Sequence, residues 1–296
     1  MSEEFCEIGE GITLCYERFG DPADPPILLV MGLATQMIAW HEDFCEQLAS
    51  HGFQVVRFDN RDIGRSTHMD FRPPSTGQLF RRRVGPEQYS LSDLATDTRA
   101  LLRQLRIEPA HVVGASMGGM IAQTLAARHG GCVRSLVSIM SNTGSRFSGQ
   151  PAVALYRPLL TPAPQEREAF LDHVERVFTL IGSPGRADVE DLREVAALSY
   201  DRARDPAATV RQLAAILISG NRTRELRRIK APTLVVHGSR DRLVRPSGGQ
   251  ATVRAIPGAR LLRIEGMGHD LPRAFWPQIM DAMTEHARLS QRAVAV

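Results

Sequence analysis

The sequence predicts an α/β protein: an open, mostly parallel sheet flanked by helices, with an all-helical insertion between two of its strands. Three observations carry this. Short apolar runs alternate with longer helical stretches; the runs are continuously apolar instead of alternating; and the span from Gly144 to Glu225 contains no such run.

Taken in order, the strand-like runs are Ile27-Leu28-Leu29-Val30, Val55-Val56-Arg57-Phe58, Val112-Val113, Leu136-Val137-Ser138-Ile139, Leu234-Val235-Val236 and Leu261-Leu262-Arg263-Ile264. Continuous apolarity fits strands covered on both faces, as in a parallel sheet. Between them Trp40 to His51, Leu91 to Leu105, Gly118 to His129 and Gly248 to Ala255 are each long enough for a crossover helix. From Gly144 to Glu225 the apolar residues fall at helical spacing instead: Phe170, Val174, Val177, Phe178 and Ile181, then Leu192 and Val195, then Leu213, Ile216 and Leu217. Prolines 158, 162, 164, 184 and 206 divide that span into short helices. The expected division is therefore a sheet-bearing core of residues 1–143 and 226–296 with a helical cap of residues 144–225.

Composition narrows the function classes. With 296 residues, 43% hydrophobic and 23% charged, the chain is neither disordered, collagenous nor a coiled coil. Thirty-six Lys and Arg against thirty-three Asp and Glu leave a net charge of +3, which argues against a dedicated nucleic-acid binder. Lys230 is the only lysine. No signal-peptide pattern follows Met1, and no run reaches the roughly 18 apolar residues of a membrane helix. Cys6, Cys15, Cys45 and Cys132 show no metal-site spacing, so a reduced cytoplasmic chain is expected, with a Cys6–Cys15 bridge across an N-terminal hairpin left open.

The sharpest chemical signal is Gly114-Ala115-Ser116-Met117-Gly118, which follows an apolar run and opens a helical stretch. This is G-x-S-x-G in the strand, turn and helix context that holds a nucleophile on a strained turn, with helix N–H groups aimed at the reacting oxygen. A serine hydroxyl needs a base and an orienting acid. His269 sits in the glycine-loosened Glu265-Gly266-Met267-Gly268-His269-Asp270 loop after the last strand run, where a side chain hangs over the sheet edge. His237, His111, His41, His51, His129, His173 and His286 fit structural or solvated roles. Asp241, in the loop after Leu234-Val235-Val236, supplies the acid, and the order Ser116, Asp241, His269 completes the pattern. Its rivals are weaker: Ser141-Asn142-Thr143 offers no carboxylate, and adjacent side chains such as Asp270 and His269 seldom meet correctly.

On these residues the chain resembles the α/β-hydrolase superfamily over essentially its whole length. Its Phe19–Pro26, Val30-Met31-Gly32 and Asp59–Ser66 segments are similar to those of the branch containing aclacinomycin methylesterase and related actinobacterial esterases. The resemblance implies an oxyanion hole built from the backbone N–H groups of Leu33 and Met117, each donor typically worth about 3–4 kcal/mol in the transition state. Met31-Gly32 stands where much of the superfamily has His-Gly, placing an apolar side chain where a polar support is usual. The Asp59–Ser66 segment resembles the superfamily's D-x-R-x-x-G-x-S turn and reads as structural. Haloalkane dehalogenases and epoxide hydrolases are disfavoured, because they carry aspartate where Ser116 stands. The acidic cap residues of proline iminopeptidases direct attention to Glu190, Asp191 and Glu194, but the interspersed Arg186 and Arg193 make these a solvated helix face.

A helical cap over the catalytic edge shapes an apolar pocket, for which Trp40, Met37, Met140, Phe147, Tyr156, Phe178 and Met267 are the candidate wall residues. Arg81-Arg82-Arg83 reads as a solvated loop, too few charges for stable membrane anchoring. The expectation is a serine esterase acting on a hydrophobic small-molecule ester, without metal or cofactor. Hydrolysis of a lactone, a thioester or an activated C–C bond, cofactor-free perhydrolysis, and a slow-turnover receptor or binding scaffold remain open at this point. Oligomeric state is not legible.

Overall fold

In the computed structural model the structure describes residues 2–155, 161, 163–186 and 188–292. The chain begins with a hairpin of β1 (Glu4–Gly9) and β2 (Ile12–Phe19), turned through Gly9, Glu10 and Gly11, all with positive φ. Cys6 pairs with Leu14 and Cys15 with Phe5, so the two cysteines occupy positions that face opposite sides of the sheet. A Cys6–Cys15 bridge is therefore ruled out, and all four cysteines are free and buried.

The remaining strands are β3 (Pro26–Val30), β4 (Gln54–Phe58), β5 (Ala110–Ala115), β6 (Val133–Ile139), β7 (Thr233–Gly238) and β8 (Arg260–Ile264). The sheet runs in the order β1-β2-β4-β3-β5-β6-β7-β8. Pairing is antiparallel from β1 through β2 to β4 and parallel beyond. Alternate side chains feed two cores. Leu28, Val30, Val56, Val112 and Leu136 pack on one face, and Ile27, Leu29, Val55, Val113, Val137 and Val236 on the other. Strand β8 departs from the buried expectation because it is the sheet's edge, and Leu261 is exposed there.

Helices α1 (Glu42–Ser50), α2 (Thr76–Arg81), α3 (Leu91–Gln104) and α4 (Met117–Arg128) come from the first half of the chain, and α9 (Ser247–Ala255) and α10 (Trp276–Arg292) from its end. Helix α3 shows why the sequence specifies them: Ser90 and Asp93 form a capping box, and Leu91, Leu94, Ala95, Thr98, Leu101 and Leu102 make one buried face.

Between β6 and β7 lie α5 (Arg167–Ile181), α6 (Val189–Arg202), α7 (Pro206–Ser219) and α8 (Thr223–Leu226), with no strand among the described residues. Pro206 opens α7, where its missing N–H is harmless, and Asp205 caps it by accepting from Ala207 N–H. This segment is fastened to the rest of the chain through charged groups. Arg202 donates to Asp59, and Arg211 grips Asp62 with two bonds of 2.8 and 2.9 Å. Arg273 bridges Asp191 of α6 and Asp43 of α1. Among the described residues no helix is long and apolar enough to cross a membrane.

Candidate active site

The turn from β5 into α4 is built by its glycines. A Cβ on Gly114 would lie 2.2 Å from the Gly118 carbonyl oxygen, and one on Gly118 would lie 2.1 Å from that of Val30. Neither backbone atom has room to move, so only glycine permits strand and helix to meet this closely. Between them Ser116 is held at φ 55°, ψ −117°, a conformation that side chains rarely adopt, fixed by its own N–H on the Ile139 carbonyl. Its hydroxyl stands clear of the sheet at the start of α4.

His269 and Asp241 arrive from the ends of β8 and β7. The Ser116 Oγ to His269 Nε2 distance is 3.0 Å, and the His269 Nδ1 to Asp241 Oδ2 distance is 2.8 Å. An ionised Asp241 accepts only, so Nδ1 carries the proton and Nε2 is left to take one from the serine. The other Asp241 oxygen accepts from Leu243 and Val244 N–H at 2.9 and 2.8 Å, which fixes the carboxylate while it stays wholly buried. His237 lies 3.5 Å from the same carboxylate but donates from Nε2 to the Val244 carbonyl, and burial pushes its pKa down.

Asp270 goes elsewhere. Its two oxygens accept from Ser183 N–H at 2.8 Å and Ser183 Oγ at 2.5 Å, and Ser183 Oγ in turn accepts from Gly268 N–H. His269 N–H donates to the Ile181 carbonyl at 2.8 Å. The end of α5 is thus stapled to the histidine loop, at a contact so close that a Cβ on Gly268 would sit 2.2 Å from the Gly182 carbonyl carbon. Burial pushes the Asp270 carboxyl up, opposed by the bonds from Ser183. Sequence reasoning missed Ser183. The Gly182-Ser183-Pro184-Gly185 turn marks it as a helix end, but its partners lie 85 and 87 residues away.

On the opposite side, Leu33 follows β3. Gly32 lets this loop approach, since a Cβ there would lie 3.2 Å from the Ser116 Cβ. Met117 is the first residue of α4, so its N–H has no partner within the helix. Asp59, from the turn after β4, accepts from Met37 N–H and Arg65 N–H and holds the loops below.

The candidate wall residues fall into three groups. Met37, Trp40, Met140 and Met267 are buried, Trp40 packing on Phe44 at 5.6 Å in the core. Phe147 is 86% exposed and Phe178 half-buried. Tyr156 lies outside the described residues. Glu190 and Glu194 are exposed, Asp191 pairs with Arg273, and Arg81, Arg82 and Arg83 are all exposed. Among the described residues Asp62, His68 and Asp205 have the spacing of a metal site, but the Arg211 guanidinium occupies both carboxylates.

A family model for the alpha/beta hydrolase fold matches residues 25–272. The chain is 31% identical to rhodomycin D methylesterase DauP of Streptomyces sp. (strain C5), across 94% of this chain and 95% of that protein. It is 30% identical to rhodomycin D methylesterase DnrP of Streptomyces peucetius, with the same coverage. Among solved structures, the 2-hydroxy-6-oxo-6-phenylhexa-2,4-dienoate hydrolase of Rhodococcus sp. strain RHA1 superposes with a TM-score of 0.76 at 20% identity, covering 97% of this chain and 98% of that one.

Proposed function

The chain belongs to the α/β-hydrolase family, and from that premise we propose that it is a serine esterase that cleaves the methyl ester of a hydrophobic small molecule. The observation that carries the mechanism is the continuous chain from Ser116 Oγ through His269 to Asp241, at 3.0 and 2.8 Å. The alcohol portion is inferred from the two relatives, both of which bear the name methylesterase.

Ser116 Oγ attacks the ester carbonyl carbon while His269 Nε2 takes its proton. The carbonyl oxygen becomes an oxyanion facing the N–H groups of Leu33 and Met117, and Asp241 stabilises the imidazolium. Collapse of this intermediate breaks the bond to the alcohol, which leaves with the histidine's proton. Water then enters, gives its proton to His269 and attacks the acyl carbon. The second collapse frees the carboxylic acid and returns the proton to Ser116. None of these steps needs a metal or a cofactor. Residues 144–225 act as the cap, with the half-buried Phe178 a better wall candidate than the exposed Phe147 among its described residues. Four buried, unpaired thiols support a reducing compartment, the cytoplasm.

The test is hydrolysis of p-nitrophenyl esters from acetate to palmitate, together with methanol release from aromatic methyl esters, for the wild type and Ser116→Ala. Turnover should fall by about 10⁶-fold, or to background, in the variant. Wild-type protein with no turnover on any ester and no labelling of Ser116 by a fluorophosphonate would sink the reading.

A further inference from the structure

The N–H of Ala34, one residue beyond the Leu33 donor, is held by a residue of the helical segment. Gln212 of α7 is completely buried, and its amide spans two main-chain groups far away in sequence. Oε1 accepts from Ala34 N–H at 2.9 Å, and Nε2 donates to the Arg61 carbonyl at 3.0 Å. Ala34 is an exposed alanine in the left-handed region, at φ 55°, a conformation that needs an outside hold. The other side of the same peptide is engaged too, because Thr35 Oγ1 donates to the Leu33 carbonyl at 3.0 Å. With both ends of the Leu33–Ala34 peptide fixed, the chain on the far side of the Leu33 Cα is held, which restricts how the neighbouring peptide carrying the Leu33 N–H can turn. Met31, two residues before Leu33, brings no polar group to this task.

We propose that Gln212 is a positioning residue for the oxyanion hole, locking the Leu33–Ala34 peptide so that the Leu33 N–H points at the developing oxyanion. The assignment rests on the esterase reading and on Leu33 as a donor. It makes the helical segment part of the catalytic apparatus, beyond any role as a pocket wall. A second bond set strengthens the arrangement: Gln36 Nε2 donates to the Ser199 and Ala203 carbonyls at 2.7 and 2.9 Å, and its Oε1 accepts from Arg202. Helices α6 and α7 therefore grip the loop after β3 at two points. A misaimed donor fails chiefly in the transition state, where the oxygen is charged, so Gln212 should act on kcat and hardly on KM.

The experiment compares the wild type, Gln212→Leu and Gln212→Glu on a p-nitrophenyl ester and against an alkylboronic acid, which forms a tetrahedral adduct with the serine. For Gln212→Leu, kcat should fall by about 10- to 100-fold with KM within about threefold, and boronate affinity should weaken in step with kcat/KM. Gln212→Glu, which in this fully buried site is held protonated and so keeps an acceptor for Ala34 N–H and a donor for the Arg61 carbonyl, should retain both within about fivefold. It also decides the matter if the leucine variant does not fold. Folded variants with wild-type kcat and boronate affinity would overturn the proposal, as would a loss in Gln212→Glu equal to that of Gln212→Leu. Those outcomes leave wild-type turnover intact; a wild type that neither hydrolyses the ester nor binds the boronate overturns the esterase reading and this proposal together.

Discussion

All six residues of β5 and all six of β7 are buried, whereas in α5 and α6 burial is confined to Leu171, Ile181 and Ala196. The sheet is held by apolar contact on both faces, a force without direction worth about 25 cal/mol per Å². The helical segment adds directed bonds to the apolar contacts of Ala215 and Leu226: Arg202 to Asp59, Arg211 to Asp62, Gln212 to Ala34 and Ser183 to Asp270. Each ends on a loop just beyond β3, β4 or β8, at the edge where Ser116, His269 and Asp241 meet. Apolar burial fixes where the sheet lies, and the polar seam fixes how the loops above it are turned. Apolar burial and directed bonding are thus concentrated in different parts of the chain.

The seam is broken most severely at Arg211. Removing its guanidinium leaves Asp62 wholly buried without a countercharge, so Arg211→Ala should lose about 3–5 kcal/mol in urea unfolding. A loss under about 1 kcal/mol would show that the seam is dispensable for stability.

The sheet is better probed by acid. His111 on β5 is buried, bonded to Ser135 and Gln291, and burial, aided by Arg134, pushes its pKa down to about 4. The folded chain keeps it neutral while the unfolded chain takes up a proton near pH 6.5. Its contribution is therefore full above pH 6.5 and lost as pH falls toward 4, amounting to about 3 kcal/mol. Chemical denaturation across that range should show the slope, and His111→Gln should flatten it; an unchanged slope would assign it to other buried histidines.

The smallest effect on stability and the clearest on activity belongs to Ser183. Ser183→Ala removes the hydroxyl's bonds to Gly268 and Asp270 while the backbone N–H stays on Asp270, and should cost about 1–3 kcal/mol while lowering kcat about tenfold at nearly constant KM. Equal kcat in the two proteins would mean that the histidine loop holds itself.

The same division explains what the sequence makes legible. Continuous apolar runs announce the parallel strands, because a strand covered on both faces has no polar side to show. Strand β1 is hidden by its polar residues at the sheet's edge, where only Cys6 is buried. Ser116, Asp241 and His269 each lie in a short loop after a recognisable strand, so local pattern suffices to place them at one edge. Gln212 and Ser183 carry no such mark: one is a polar residue within a helix and the other a turn serine, and their partners lie 85 to 178 residues away. Trp40 shows the converse difficulty, since an aromatic residue after a strand fits a pocket mouth or a core equally well, and here it packs on Phe44.

The order of these parts along the chain also has a consequence in time. Ser116 precedes His269 by 153 residues. At synthesis rates of about 5–20 residues per second, Ser116 is part of the growing chain for roughly 8–30 s before the histidine is made. Gln212 and Asp241 are also completed within that interval. A growing chain thus carries Ser116 without His269 beside it, and a chain cut short before β8 never gains it, so under the proposed mechanism ester cleavage is reserved for chains that reach past β8.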